Sequence, residues 1–249
     1  MTSEQEHGQD EHGRDGPGQS GHGQPVGAPL DWAGATAVSP DVLEGRWVRL
    51  EPLSADHVSD LHAATATPEE DASWTYLPEE RPGDVAETAR RVAAVAADRA
   101  MVTWAVVPAS TGRAEGRMSL MRTDLPNGTT EIGWILLGPA LRRTTAATEA
   151  VALLADLVFA HGFRRLEWKC DSLNAPSRRA AARLGFTHEG RFRQAVVTKG
   201  RNRDTDWFSI VDHEWPALRA SYDAWLDPAN HDDEGRQRRG LEELRGSRA

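Results

Sequence analysis

Two adjacent arginines, Arg142 and Arg143, stand directly before Thr144, Thr145 and a strongly helical stretch from Ala147 to His161. A helix N-terminus carries unpaired backbone N–H groups and a partial positive charge, which is the chemistry of an anion site, a phosphate above all. Two guanidinium groups would add charge-assisted donors. Arginines before a helix are also ordinary surface residues, and spacing alone leaves both readings open. Glu131 lies in a strand-like run, where a carboxylate either takes up a proton or faces solvent or an arginine. Asn174 and Ser177 open a helix that either could cap. Cys170 alternates with Leu166 and Trp168 on one strand face, which marks a packed thiol; a nucleophile needs a base and a depressed pKa. His7, His12 and His22 are isolated rather than at ligand spacing, so no metal is expected.

The elements that must position these residues can be read from periodicity. Arg46 to Leu53 alternates as a half-buried strand. Ser54 caps a helix carrying Val58, Leu61 and His62, and a second helix runs from about Asp84 to Arg99 with Val85, Thr88, Val92 and Val95 on one side. Val102–Val107, Glu115–Arg122 and Thr129–Leu137 then form an antiparallel meander, its second turn marked by Asn127-Gly128. A helix from Ala147 to His161 is capped by Gly162. Leu166–Cys170 is a strand, Asn174–Leu184 a helix stopped by Gly185. Two more strands, from Phe186 and over Asp206–Val211, join through a polar turn at Lys199 to Asp204, and Glu214–Leu226 closes as an amphipathic helix. The strand–helix–strand crossover makes the central strand pair parallel. The expected fold class is a mixed α/β (α+β) domain: a mostly antiparallel sheet, with a central parallel strand pair, flanked by helices.

The ends read differently. Met1 to about Pro29 holds almost no large apolar side chain and cannot offset an ordering cost of roughly 1–2 kcal/mol per residue. The expected division is a disordered acidic, Gly-rich leader over residues 1–40, one domain over 41–226, and a charged tail over 227–249 with at most a short solvated helix at Leu241 and Leu244 and no core. A net charge of -9 without a basic stripe argues against nucleic acid. No apolar run of eighteen residues points to a membrane, and the single cysteine excludes an internal disulfide, so a soluble cytoplasmic protein is expected.

Several short motifs, on these elements and in this order, resemble one family. Glu131-Ile132-Gly133-Trp134 resembles the Glu-Ile-Gly-aromatic signature of Rim-type (ribosomal-protein N-terminal) acetyltransferases of the GNAT fold. Pro139 to Ala150, PALRRTTAATEA, resembles the family's CoA-pyrophosphate loop. Trp168-Lys169-Cys170, Asn174-Ala175-Pro176-Ser177 and Arg183-Leu184-Gly185-Phe186 are similar to the Rim-type fifth strand and fourth helix. The resemblance spans about Gly45 to Pro216.

It implies acetyl-CoA as co-substrate, without a metal, and an amine acceptor, either a small molecule or a protein N-terminus. The phosphates would lie on Arg142, Arg143, Thr144, Thr145, Ala146 and Ala147, with Asn174 contacting the cofactor. Backbone N–H groups of Ile135, Leu136 and Leu137 would pair with the pantetheine arm, one of them as an oxyanion-type donor. Glu131 would serve as base. The family's usual tyrosine acid is absent, Ala181 standing at its position, and Ser177 would give the proton instead. Trp74 and Tyr76 would wall the acceptor site, beside the acidic run Glu69, Glu70, Asp71, Glu79 and Glu80. Thr145 departs from the family pattern, which places glycine there. A basic turn at Lys199, Arg201 and Arg203 reads as a hairpin tip. Three readings follow: an N-terminal protein acetyltransferase acting in a ternary complex, a small-molecule amine acetyltransferase, or a non-catalytic acyl-CoA-binding module. Each allows a homodimer.

Overall fold

A computed structural model describes residues 18–232 and 234–246. Residues 1–17, which hold His7, His12 and much of the expected leader, lie outside the described residues. The chain divides into two compact units, residues 1–33 and residues 34–249. In the first, β1 (Gly18–Gln19) pairs with β2 (Pro25–Val26) antiparallel. Everything below concerns the second.

That unit holds an eight-stranded sheet. β3 (Leu43–Glu44), β4 (Val48–Pro52), β5 (Met101–Pro108), β6 (Gly116–Asp124), β7 (Thr129–Leu137), β8 (Arg165–Asp171), β9 (Thr187–Thr198) and β10 (Arg201–Val211) lie in the order β3-β4-β5-β6-β7-β8-β10-β9. Every neighbouring pair is antiparallel except β7 and β8, the parallel pair expected from the crossover.

The helices sort by the face they bury. α1 (Val58–Thr65), entered through a 3-10 turn capped by Ser54, and α2 (Val85–Ala97), capped by Asp84, cover one side through Leu61, Val92 and Val95 against Ala105 and Val107. Val85, expected on the buried stripe, is 48% exposed because it is the first residue of its helix. α3 (Thr145–Ala160), α4 (Ala175–Leu184) and α5 (Trp215–Leu226) pack the other side, where Ala150, Leu154 and Val158 meet Val48, Trp104, Ile132, Leu166 and Phe208. Gly185 ends α4 at φ 97, a conformation glycine adopts without strain. The sheet and α3 are locked together by Glu149: its carboxylate accepts the N–H groups of Arg46, Trp47 and Val48 at 2.9, 2.6 and 2.9 Å. That bond set fixes where α3 begins, and so where its N-terminus points.

The structure moves both expected boundaries. The domain starts earlier than residue 41, because Thr36 donates its N–H to the His161 carbonyl at 2.9 Å and Ala35 and Val38 pack on the core. It also extends past Leu226. α6 (Leu241–Leu244) places Leu241 at 1% exposure within the main core, where a coreless tail was expected. The polar turn also shrinks: β10 begins at Arg201, so only Lys199 and Gly200 turn the chain. Among the described residues no helix is long and apolar enough to cross a membrane.

Since Leu241 fills a closed core site, Leu241→Ala is expected to cost about 2–5 kcal/mol in urea unfolding, as leucine truncations in cores do. A solvated tail would lose almost nothing.

Candidate active site

β7 and β8 pair over only three positions, Thr129 with Arg165, Thr130 with Leu166 and Glu131 with Glu167. Beyond Glu131 they part, and the opened edge of β7 has no strand opposite it among the described residues. The gap forms a cleft of about 1320 Å³ running from the loop before α2 to the N-terminus of α3.

The opened edge carries directional backbone groups. Gly138 donates its N–H to the Glu115 carbonyl at 2.8 Å, toward β6, and the Leu136 carbonyl also faces that strand at Gly116. By strand alternation, Ile135 and Leu137 turn their polar groups to the cleft, whereas Leu136 turns its own away. Of the three expected backbone donors, Leu136 is therefore turned away; its side chain is 4% exposed.

Just upstream the strand bulges: Trp134 and Ile135 together oppose Met118, and Trp134 takes φ 51. A bulky residue in the left-handed region costs on the order of 1–3 kcal/mol, a strain that concentrates at functional sites. The bulge turns the Trp134 indole to the cleft, with its N–H buried and without a partner. Sequence reasoning assigned Trp134 no role. An aromatic directly after Gly133 was its only signal.

At the opposite end, Thr144 caps α3, its hydroxyl accepting the Ala147 N–H at 3.2 Å. The N–H groups of Thr145 and Ala146, the first two helical positions, have no intrahelical acceptor, and Thr145 lines this end of the cleft. The positive φ that a glycine would relieve falls on Arg143, at 63°, and Thr145 is already helical. Thr145 in place of glycine thus imposes no backbone strain. The turn fits a pyrophosphate: unpaired N–H groups, a helix N-terminus, and Arg143 beside it. Arg142 is placed differently. Its guanidinium donates to the Glu70 carboxylate, to the Ser73 hydroxyl at 2.8 Å and to the Leu137 carbonyl at 3.0 Å, clamping the 68–74 loop to the end of β7.

Glu131 stands where the strands part, 5% exposed. Burial pushes its carboxyl above the usual range, while the Lys169 ammonium at 3.2 Å and Arg122 at 3.4 Å pull it back. Lys169 itself bonds Glu167 at 2.6 Å and lies 3.6 Å above the Trp207 ring.

Ser177 is the third residue of α4, and Asn174 is the cap: its side-chain oxygen accepts the Ser177 N–H at 3.1 Å. Capping therefore does not occupy the Ser177 hydroxyl. The Trp168 indole donates to that oxygen at 3.0 Å, and the Ser177 side chain, which lines the cleft, also hydrogen-bonds the Cys170 sulfur. Cys170 is buried beside it, and burial pushes its thiol up, in line with a packed, unreactive sulfur.

The acceptor end differs most from expectation. Trp74 does not line the cleft. Its indole donates to the Thr65 carbonyl at 2.8 Å and its ring is 4% exposed, because Arg91 and Arg117 pack over it. Tyr76 does line the cleft, its hydroxyl donating to the Leu173 carbonyl at 3.1 Å. Nor is the acidic run an open negative field. Glu70 pairs with Arg142, Asp71 with Arg81, Glu79 with Arg91 and Arg117, and Glu80 with Lys199. Arg203, expected only at a hairpin tip, lines the cleft with its Nε buried and unpartnered.

An antiparallel sheet split at one parallel pair, with a helix N-terminus at one end of the split and a carboxylate and hydroxyl midway, defines an acyl-CoA-dependent transferase. The comparisons identify the family. Residues 48–187 match the acetyltransferase (GNAT) domain, and the chain belongs to that family. A GCN5-related N-acetyltransferase from Brucella melitensis is 45% identical, with TM-score 0.85, over 86% of this chain and 98% of its own. Two more distant structures share the fold. An acetyl transferase from Salmonella typhimurium that modifies the N-terminal serine of ribosomal protein L7/L12 is 18% identical, with TM-score 0.60, over 69% and 99%. Mycobacterium smegmatis RimJ in complex with CoA-disulfide is 21% identical, with TM-score 0.60, over 71% and 90%. No curated protein matches the chain. Its activity is therefore acetyl-CoA-dependent N-acetylation.

With Glu131 as base, kcat/KM is expected to fall on its acid side at a pH above the ordinary carboxylate value of about 4.3, because burial raises the pH at which Glu131 takes up a proton. Glu131→Gln should remove the Glu131 limb, leaving only the one set by the amine substrate's own proton, and slow the reaction by roughly 10²–10⁴. A pH–rate profile of both proteins checks this.

Proposed function

We propose that this acetyltransferase acts on the α-amine of a peptide or protein N-terminus, by direct attack in a ternary complex. The observation that carries the reading is the pair of buried donors in the cleft wall, the Trp134 indole N–H and Arg203 Nε–H, which have no acceptor within the protein. A buried donor left unpaired costs about 1–3 kcal/mol, so the acceptor substrate is expected to supply oxygens. A peptide brings backbone carbonyls; a polyamine brings none. The acidic run offers a polyamine little either, since Arg142, Arg81, Arg91, Arg117 and Lys199 engage four of its five carboxylates. The Salmonella enzyme's N-terminal serine substrate supports the same class.

The chemistry asks little of the side chains. An α-amine, with pKa near 8, is partly neutral at cellular pH, whereas a lysine amine near 10.4 is not. Its nitrogen bonds to the thioester carbonyl carbon, the carbon–sulfur bond breaks, and CoA leaves as the thiol. Glu131 takes the proton lost by nitrogen, directly or through a water. The N–H of Ile135 or Leu137 holds the carbonyl oxygen as it gains charge. Ser177, its oxygen already accepting from Trp168, gives its hydroxyl proton to the departing sulfur and regains one from water as Glu131 releases its own to water. Arg143, Thr144 and the Thr145–Ala147 turn hold the phosphates, with Asn174 beside the arm. Tyr76 stands on the acceptor side.

The test is a thiol-release assay comparing short peptides with free N-termini against spermidine and single amino acids. Peptides are expected to show at least tenfold higher kcat/KM, and N-terminally blocked peptides none. A preference for spermidine would overturn the reading. Ser177→Ala should lower kcat while leaving the dissociation constant for acetyl-CoA unchanged. Equal rates in both proteins would remove Ser177 from the reaction.

A further inference from the structure

The described residues after α5 do not trail into solvent; they return to the cleft. Asn230, 8% exposed, donates through its side-chain amide to the carbonyls of Trp225 and Arg239, both at 3.1 Å, and accepts the Arg239 N–H at 3.0 Å. The Trp225 indole donates to the Gln237 side chain at 2.6 Å. With Leu241 in the core, this segment is pinned at both ends. Between the pins, His231, Gly235, Arg236 and Gln237 line the cleft on the side where α3 begins.

His231 is the member that reaches the phosphate turn. Its ring lies between two tryptophans, 5.9 Å from Trp47 and edge-on at 5.3 Å to Trp225. Nδ1 lies 3.2 Å from the Asp227 carbonyl, which can only accept, so Nδ1 carries a hydrogen. In the neutral ring Nε2 is then the acceptor, and it faces the Thr145 hydroxyl at 3.5 Å, the outer limit of a hydrogen bond.

The first position of α3 is thus a threonine, with a histidine aimed at it from beyond the family domain's matched residues 48–187. An unbraced, branched side chain at the first position of α3 could turn its methyl or hydroxyl over the N–H groups of Thr145 and Ala146. Braced by His231, it is drawn toward the C-terminal wall. We propose that the C-terminal segment is a built-in wall of the acetyl-CoA cleft, in which His231 acts as a positioning residue that holds Thr145 clear of the phosphate turn. The proposal rests on the acetyl-CoA reading of that cleft.

The test is a double-mutant cycle on the full chain, with acetyl-CoA dissociation constants read by calorimetry. His231→Phe keeps a ring between Trp47 and Trp225 and removes Nε2. It is expected to leave the thermal midpoint within a few degrees and to weaken acetyl-CoA about tenfold. In a Thr145→Gly background, where no side chain needs bracing, the same change is expected to weaken binding less than threefold, a non-additivity of the size usual for contacting residues. Unchanged affinity in His231→Phe, or an equal loss in both backgrounds, overturns the proposal. A wild type that binds no acetyl-CoA refutes instead the reading on which it rests.

A second measurement needs no variant. Trypsin cuts after Arg236, Arg238 and Arg239, and saturating acetyl-CoA is expected to slow cleavage there at least fivefold. Unaltered cleavage in a wild type that binds acetyl-CoA overturns the wall. Should His231→Phe fail to fold, this measurement decides.

Discussion

Everything functional in this protein depends on how briefly β7 and β8 hold together. Three parallel residue pairs join them, and past Glu131 the sheet is open. A sheet interior left open exposes N–H and C=O groups that have lost their ladder partners, and such groups need another partner when water is displaced. Here the exposed groups are those of Ile135 and the Leu137 N–H, since Arg142 already donates to the Leu137 carbonyl. The core on the α3 side, continuous from Val48 to Phe208, keeps the sheet from collapsing across the gap.

The two ends of the cleft are tuned by different physics. At the α3 end the backbone sets the geometry: a helix N-terminus held in place by Glu149, and a positive φ carried by Arg143 rather than by a glycine. At the acceptor end the side chains decide. Arg117, Arg122 and Lys169 are each paired with an acid, while Arg203 keeps an unpartnered donor in the cleft. Arg142 connects the two ends, because the same guanidinium holds the 68–74 loop and caps the last carbonyl of β7.

The sequence was legible wherever a local rule had no competitor. Asn127-Gly128 turns the hairpin between β6 and β7, Gly185 stops α4, and the period-2 run Leu166, Trp168, Cys170 faces the core as its alternation required. It was misleading where tertiary contact chooses between equivalent residues. Trp74 and Trp134 are both tryptophans near an expected acceptor wall. Only the bulge in β7, and the packing of Arg91 and Arg117 over Trp74, decide which one faces the cleft. Arg142 read as a phosphate ligand because its spacing fitted, and nothing local reveals Glu70 seventy-two residues away. Leu241 and Leu244 form a single helical turn, too short for any period to show, so their burial was invisible. Thr145 read as a departure from the family pattern, and only the coordinates assign the positive φ to Arg143 instead.

The central claim is that one acetyl-CoA molecule bridges the opened edge of β7 and the N-terminus of α3. Amide hydrogen exchange on the full chain, with and without saturating acetyl-CoA, addresses it directly. The account predicts slowed exchange at Ile135 and Leu137 together with Thr145 and Ala146, and little change at Leu136, whose N–H already faces β6. Protection confined to one of these two places, or absent from both while acetyl-CoA is bound, would contradict it.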